Sequence, residues 1–124
     1  PFEGRRAAAE ALDALSDRRA VTRLITLVGS SDVWEIRAAA AIALGRMKAR
    51  GAVESLVEAM QFGESHKLRP FAAQALGDIG DPAALPALQE ALQENHTILQ
   101  KEARRAIQKI RDAQQQDLES PAEP

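Results

Sequence analysis

Apolar residues along this chain recur three, four and seven positions apart, in stretches separated by short polar or glycine-containing breaks. That spacing lays them along one stripe of an α-helix, whereas a half-buried strand alternates every second residue. The clearest breaks are Gly29-Ser30-Ser31-Asp32 and Gly80-Asp81-Pro82. In the first, Gly29 can end one helix while a polar residue caps the next. In the second, Asp81 supplies an N-cap and Pro82 occupies the first helical position, where its missing N–H is not needed. The pattern predicts about seven helices, near 4–15, 18–28, 33–47, 51–61, 66–79, 82–93 and 97–114. A polar, proline-punctuated flexible tail is expected over 115–124.

The stripes themselves repeat. A shift of 32 residues brings Arg5 onto Arg37 and Arg69, Ala8 onto Ala40 and Ala72, Leu12 onto Leu44 and Leu76, and Leu24 onto Leu56 and Leu88. A last copy returns after 31 residues, with Leu68 meeting Leu99 and Ile79 meeting Ile110. Each unit is a helical pair. Such a pair cannot bury its apolar face alone and must stack on its neighbours, so the expected fold is an all-α solenoid over residues 1–114.

Leu68-Arg69, Ala72-Ala73, Ala75-Leu76-Gly77 and the Gly80-Asp81-Pro82 turn together resemble the short HEAT-like repeat of phycobilisome-lyase-type proteins. Ile36-Arg37 with Ala43-Leu44-Gly45 is similar, and the resemblance spans about residues 4–111. Departures are Asp13 and Gln108 in place of the helix-end Gly, Gln100 in place of the Arg, and Lys48-Ala49-Arg50-Gly51 in place of the turn. The resemblance implies a right-handed α-α superhelix in which the Arg-bearing helix is the second of each pair and lines the concave side. On that analogy the chain opens with an unpaired second helix, 4–15. A parent protein truncated upstream, or self-association through the uncapped end, is then expected.

Composition narrows the function classes. Hydrophobic residues make up 45% of the chain but aromatics only 3%, which suits close-packed helices better than sheet. The absence of cysteine removes disulfides and thiolate metal sites and fits a cytoplasmic location. No apolar stretch approaches the roughly 20 residues that span a bilayer, so no membrane partner is expected. Residues 1–50 hold nine Arg or Lys against six Asp or Glu, while 51–100 hold two against seven. The acidic middle opposes a continuous phosphate track, which disfavours nucleic acid despite Arg5, Arg6, Arg18, Arg19 and Arg23.

His66 and His96 are the only histidines, and their spacing suits no metal pair. Deoxyhypusine hydroxylase is an iron enzyme built on similar repeats, but its His-Glu dipeptides are missing here. There is no phosphate loop and no nucleophile elbow. The chain therefore reads as a non-enzyme with no metal and no cofactor.

Residues that recur serve the scaffold. Small Ala residues let helices approach, and the Arg5, Arg37 and Arg69 row is expected to reach polar caps of its own turns, with Asp32, Glu64 and Asn95 lying five residues before Arg37, Arg69 and Gln100. Positions that break the repeat are the candidates for partner contact. Among the family's variable concave positions these are Trp34, Ala38, Ile42, Arg46, His66, Pro70, Phe71, Gln74, Lys101, Arg105 and Lys109, with Glu35, Lys67, Asp78 and Glu102 beside them. Trp34, Ile42, Pro70 and Phe71 would form an apolar centre with a basic rim, the usual anatomy of an interface. The competing reading has Trp34 covering a neighbouring loop and Phe71 filling the inter-repeat core. The expected function is a non-catalytic scaffold or adaptor that binds a protein or peptide segment through the concave face. Alternatives are a bilin lyase or bilin-detaching subunit acting with a phycobiliprotein, and a HEAT-like nucleic-acid-binding module.

Overall fold

The computed structural model describes residues 17–62 and 65–119. Its helices are α1 (17–30), α2 (Trp34–Arg46), α3 (Val53–Phe62), α4 (Leu68–Ile79), α5 (Leu85–Ala91) and α6 (Thr97–Glu119). Every expected helix from 18–28 onward has a counterpart. The one expected at 4–15, and with it the unpaired opening, lies outside the described residues. Short 3₁₀ turns at Arg50–Ala52 and Pro82–Ala84 lead into α3 and α5, at the same place in successive units.

The helices stack as an all-α solenoid. α4 packs against α2, α3 and α6, and α5 packs against α6. The second helices α2, α4 and α6 thus form one layer, and the first helices α1, α3 and α5 the other. Leu44, Leu56, Leu68, Leu76, Leu88 and Leu99 are wholly buried between the layers, each worth about 1.5–3 kcal/mol relative to exposure. They sit at the register positions that repeat, so one apolar stripe per helix builds a single continuous core.

Two glycines set the spacing of the second-helix layer. A Cβ on Gly45 would stand 3.0 Å from the Ala75 Cα, and one on Gly77 only 2.7 Å from the Ala106 Cα. In each case the obstacle is backbone, so close approach of successive helices depends on the missing side chain. Gln108, which replaces the third member of this series, is exposed and donates to Asp112 at 2.8 Å.

The Arg row works differently from the expected cap contact. Arg37 Nε donates to the Val28 carbonyl at 2.7 Å, nine residues back, rather than to Asp32. Arg69 Nε makes the equivalent bond to Met60 O. Val28 and Met60 belong to the last turns of α1 and α3, whose carbonyls have no intrahelical donor. The side chain therefore ties the end of each first helix to the second helix of the same pair. Gln100 keeps that tie with an amide, donating to Leu92 O at 3.2 Å and to Glu94 O at 2.6 Å. Arg5 and Glu64 lie outside the described residues.

The turns follow their sequences. Gly80 adopts φ 79° and donates its N–H to Leu76 O at 3.1 Å, while Asp81 Oδ1 accepts from the Ala83 N–H at 3.0 Å. Lys48 holds the equivalent left-handed position, φ 52°, without the freedom of glycine. At the other end α6 continues through 115–119, where the polar, proline-punctuated composition predicts a tail. The run Gln114-Gln115-Gln116-Asp117-Leu118-Glu119 contains no Gly or Pro, and Gln115 bonds Glu119 one turn on at 2.7 Å, so nothing stops the helix.

Candidate functional site

Successive second helices run side by side, so their N-terminal ends come together. Trp34 opens α2, Leu68 opens α4 and Thr97 opens α6. Between these ends lies a groove of ≈ 420 Å³. Its floor is Trp34, Pro70, Phe71 and Ile98, and its edges are His66, Lys67, Gln74, His96 and Glu102. The Trp34 and Phe71 rings are 6.5 Å apart and inclined by 27°, an offset stack across the α2–α4 boundary. Both rings are half-buried against the core and half-open to the groove. Lys67 Nζ sits 5.4 Å from the Trp34 ring centroid, within cation–π range.

His96 stiffens one wall. Its Nδ1 accepts the Leu99 N–H at 3.2 Å, capping the first turn of α6, and its Nε2 lies 3.0 Å from the His66 carbonyl. A ring that accepts at Nδ1 must carry its proton on Nε2, which then donates to that carbonyl. One neutral tautomer thus links the loop before α6 to the loop before α4. With both nitrogens engaged, His96 has no lone pair left for a metal or a substrate proton. Among the described residues no group of three or more His, Asp or Glu is placed to hold a metal ion.

The candidate partner-contact residues divide. Trp34, His66, Pro70, Phe71 and Gln74 all line the groove. Ala38 does not: it is 5% exposed, buried in the core because α4 packs closely on α2. Ile42 is half-buried further along α2, outside the groove lining. Arg46 ends α2, and at about 1.5 Å per residue the helix carries it roughly 18 Å from Trp34. Lys101 and Arg105 are exposed on α6 next to the groove, and Arg105 bonds the groove-lining Glu102 at 3.4 Å. Lys109 belongs to the opposite end, where its Nζ meets Asp78 Oδ1 at 2.7 Å. The expected row is therefore not gathered in one groove. Its members sit at two ends of the second-helix layer.

That second end forms a polar cleft of ≈ 630 Å³ around Lys48, Asp78, Lys109, Asp112 and Asp117. Its central charges are answered internally, since Lys48 Nζ also donates to the Asp78 carbonyl at 3.1 Å. Its lining mixes these charged side chains with Ile79, Pro82 and Ala113, and holds no aromatic ring.

Two groove residues escaped sequence reasoning. Ile98 occupies the register of Lys67 and Glu35, and is 61% exposed; an apolar residue at a charged register position was the available signal. His96 sits in a turn where periodicity says nothing, and only the folded geometry brings it beside His66, with ring centroids 5.6 Å apart.

A family model described as HEAT repeats matches residues 1–69 and, overlapping, 34–108. No curated protein matches the chain.

Proposed function

Because this chain belongs to the HEAT-repeat family, whose stacked pairs offer long surfaces with no need of a catalytic centre, we propose that it is a non-catalytic scaffold or adaptor binding a segment of another protein. The observation behind this reading is that the groove collects Trp34, Phe71, Pro70 and His66, residues that break the repeat, on a largely apolar floor. Scaffold residues recur because every unit needs them, whereas contact residues answer to a partner. Within the family, the Ala-Leu-Gly and Gly-Asp-Pro words favour the short phycobilisome-lyase-like repeat type. The bilin and nucleic-acid alternatives draw on no residue of this groove, and an apolar floor suits a phosphate backbone poorly. No helix among the described residues is long and apolar enough to cross a membrane.

A photo-reactive side chain at Gln74, on the groove edge, tests the reading in cells. Protein adducts are expected from that position, lost on Trp34→Ala and absent when the probe sits at Gln116 beside the polar cleft. Adducts of equal yield at both positions, or adducts insensitive to Trp34→Ala, would remove the groove from consideration.

A further inference from the structure

Resting on the proposed protein-binding role, we infer that the groove takes an apolar or aromatic side chain flanked by carboxylates, so that its partner segment is acidic. The floor is apolar, but the two edges carry positive charge. On one side Lys67 stands over the Trp34 ring at 5.4 Å. On the other, Ile98, Lys101, Glu102 and Arg105 follow one another at helical spacing along α6, so the stripe that enters the groove at Ile98 leaves it as a basic rim. The single carboxylate in the lining, Glu102, is already met by Arg105 at 3.4 Å. Lys67 and Lys101 are exposed and form no ion pair among the described residues.

A chain whose middle is acidic thus places, on both sides of its apolar groove, cations that have no ion-pair partner among the described residues. A guest with an apolar anchor and neighbouring Asp or Glu satisfies floor and rim together. A guest with Lys or Arg at those places meets like charge, and a phosphate backbone leaves the floor unused.

The test is selection of random 12-residue peptides displayed on phage against the full chain, followed by titration of the synthetic winners. Winners should share an aliphatic or aromatic residue with Asp or Glu within about one helical turn. Their affinity should exceed that of Gln-substituted versions by about tenfold at 0.05 M salt, and the gap should nearly close at 1 M, where screening is complete within about 3 Å. Against the double variant Lys67→Glu/Lys101→Glu, whose exposed substitutions leave the helical spectrum unchanged, selection should turn to Lys and Arg. Winners without charge bias that still need Trp34 would overturn the acidic partner while leaving the groove as the binding site. Winners indifferent to Trp34→Ala, or none at all, would overturn both readings. Displacement of the winners by single-stranded DNA would assign the rim to nucleic acid, and self-association abolished by Trp34→Ala would assign the groove to a second copy; either overturns the acidic peptide.

Discussion

The second-helix layer has two unlike ends. At the N-terminal end, Trp34, Phe71 and Ile98 leave apolar surface exposed between half-buried rings. At the C-terminal end, Asp78 joins three successive units, its carboxylate accepting from Lys109 and its backbone carbonyl from Lys48. Both ends are built from the same repeat, so the backbone cannot be the cause. The difference lies in which residues fill the non-recurring positions, and it teaches that the same repeat can be bridged by its own polar side chains at one end and leave apolar surface open at the other. Exposed aromatic surface beside a polar rim is the arrangement from which hot spots are drawn, whereas exposed ion pairs contribute about 0–1 kcal/mol and are screened by salt.

That contrast can be broken or sharpened by substitution. The largest effect on stability is expected from Arg69→Ala, which removes the bonds to Met60 O and to the Glu94 carboxylate beneath the groove end. Arg69 is 6% exposed. With the Met60 carbonyl left without its donor, urea denaturation should show a loss of about 2–3 kcal/mol. Arg69→Lys should recover only part of this, since an ammonium cannot serve both acceptors in a planar fork.

Next comes Gly77→Ala, which acts on the spacing shared by both ends. The added methyl meets the Ala106 backbone, so overpacking should outweigh the gain in helix propensity and cost about 1–3 kcal/mol net. Gly45→Ala, with its nearest contact at 3.0 Å, should cost less. A Gly77→Ala protein as stable as the parent would show that the α4–α6 spacing can yield.

His96→Ala separates the groove wall from its floor. Removal of the Leu99 cap and of the link to His66 should cost about 1 kcal/mol, measured by thermal unfolding. It should also loosen any guest held beside Ile98, whereas His66→Ala leaves the backbone carbonyl in place and should be milder.

The smallest effects belong to the polar end. Lys109→Ala should change stability by less than about 1 kcal/mol, and less still in high salt, with peptide binding in the groove untouched. Lys48→Gly relieves a left-handed residue but removes its bond to Asp78 O, so a gain of at most about 1 kcal/mol is expected. A marked loss of groove binding in either variant would mean that the two ends are coupled.

Much of the fold was legible because the core is made of what recurs. Leu44, Leu76 and their register partners announce buried stripes, and Gly80-Asp81-Pro82 announces its turn residue by residue. The helical stretch over 115–119 is not legible from polarity, which suggests a tail, although Gln and Glu are sound helix formers whose i,i+4 bonds suffice there. The Arg row is structural, as its recurrence implies, but its acceptor is not legible: a sequence displays Asp32 and hides the Val28 carbonyl, since every residue has a carbonyl and only folding leaves that one without a donor.

The candidate site was half legible. Repeat-breaking singled out Trp34, His66, Pro70, Phe71 and Gln74, which the structure brings to one groove, yet it placed Arg46 and Lys109 in the same row although the length of a helix separates them from Trp34. Register identifies a face of a helix but not the height on it at which surfaces meet.

The order of residues alone determined a stack of amphipathic helical pairs, because apolar spacing, glycine turns and a period of 31 or 32 residues are properties of the chain read locally. Only tertiary packing decided that Ile98 and His96 come beside Trp34 and Phe71, that Ala38 is covered, and that Lys109 finds Asp78. Those outcomes depend on how successive helices pack, and the close approach that Gly45 and Gly77 permit against the backbone of their neighbours is invisible to any single helix.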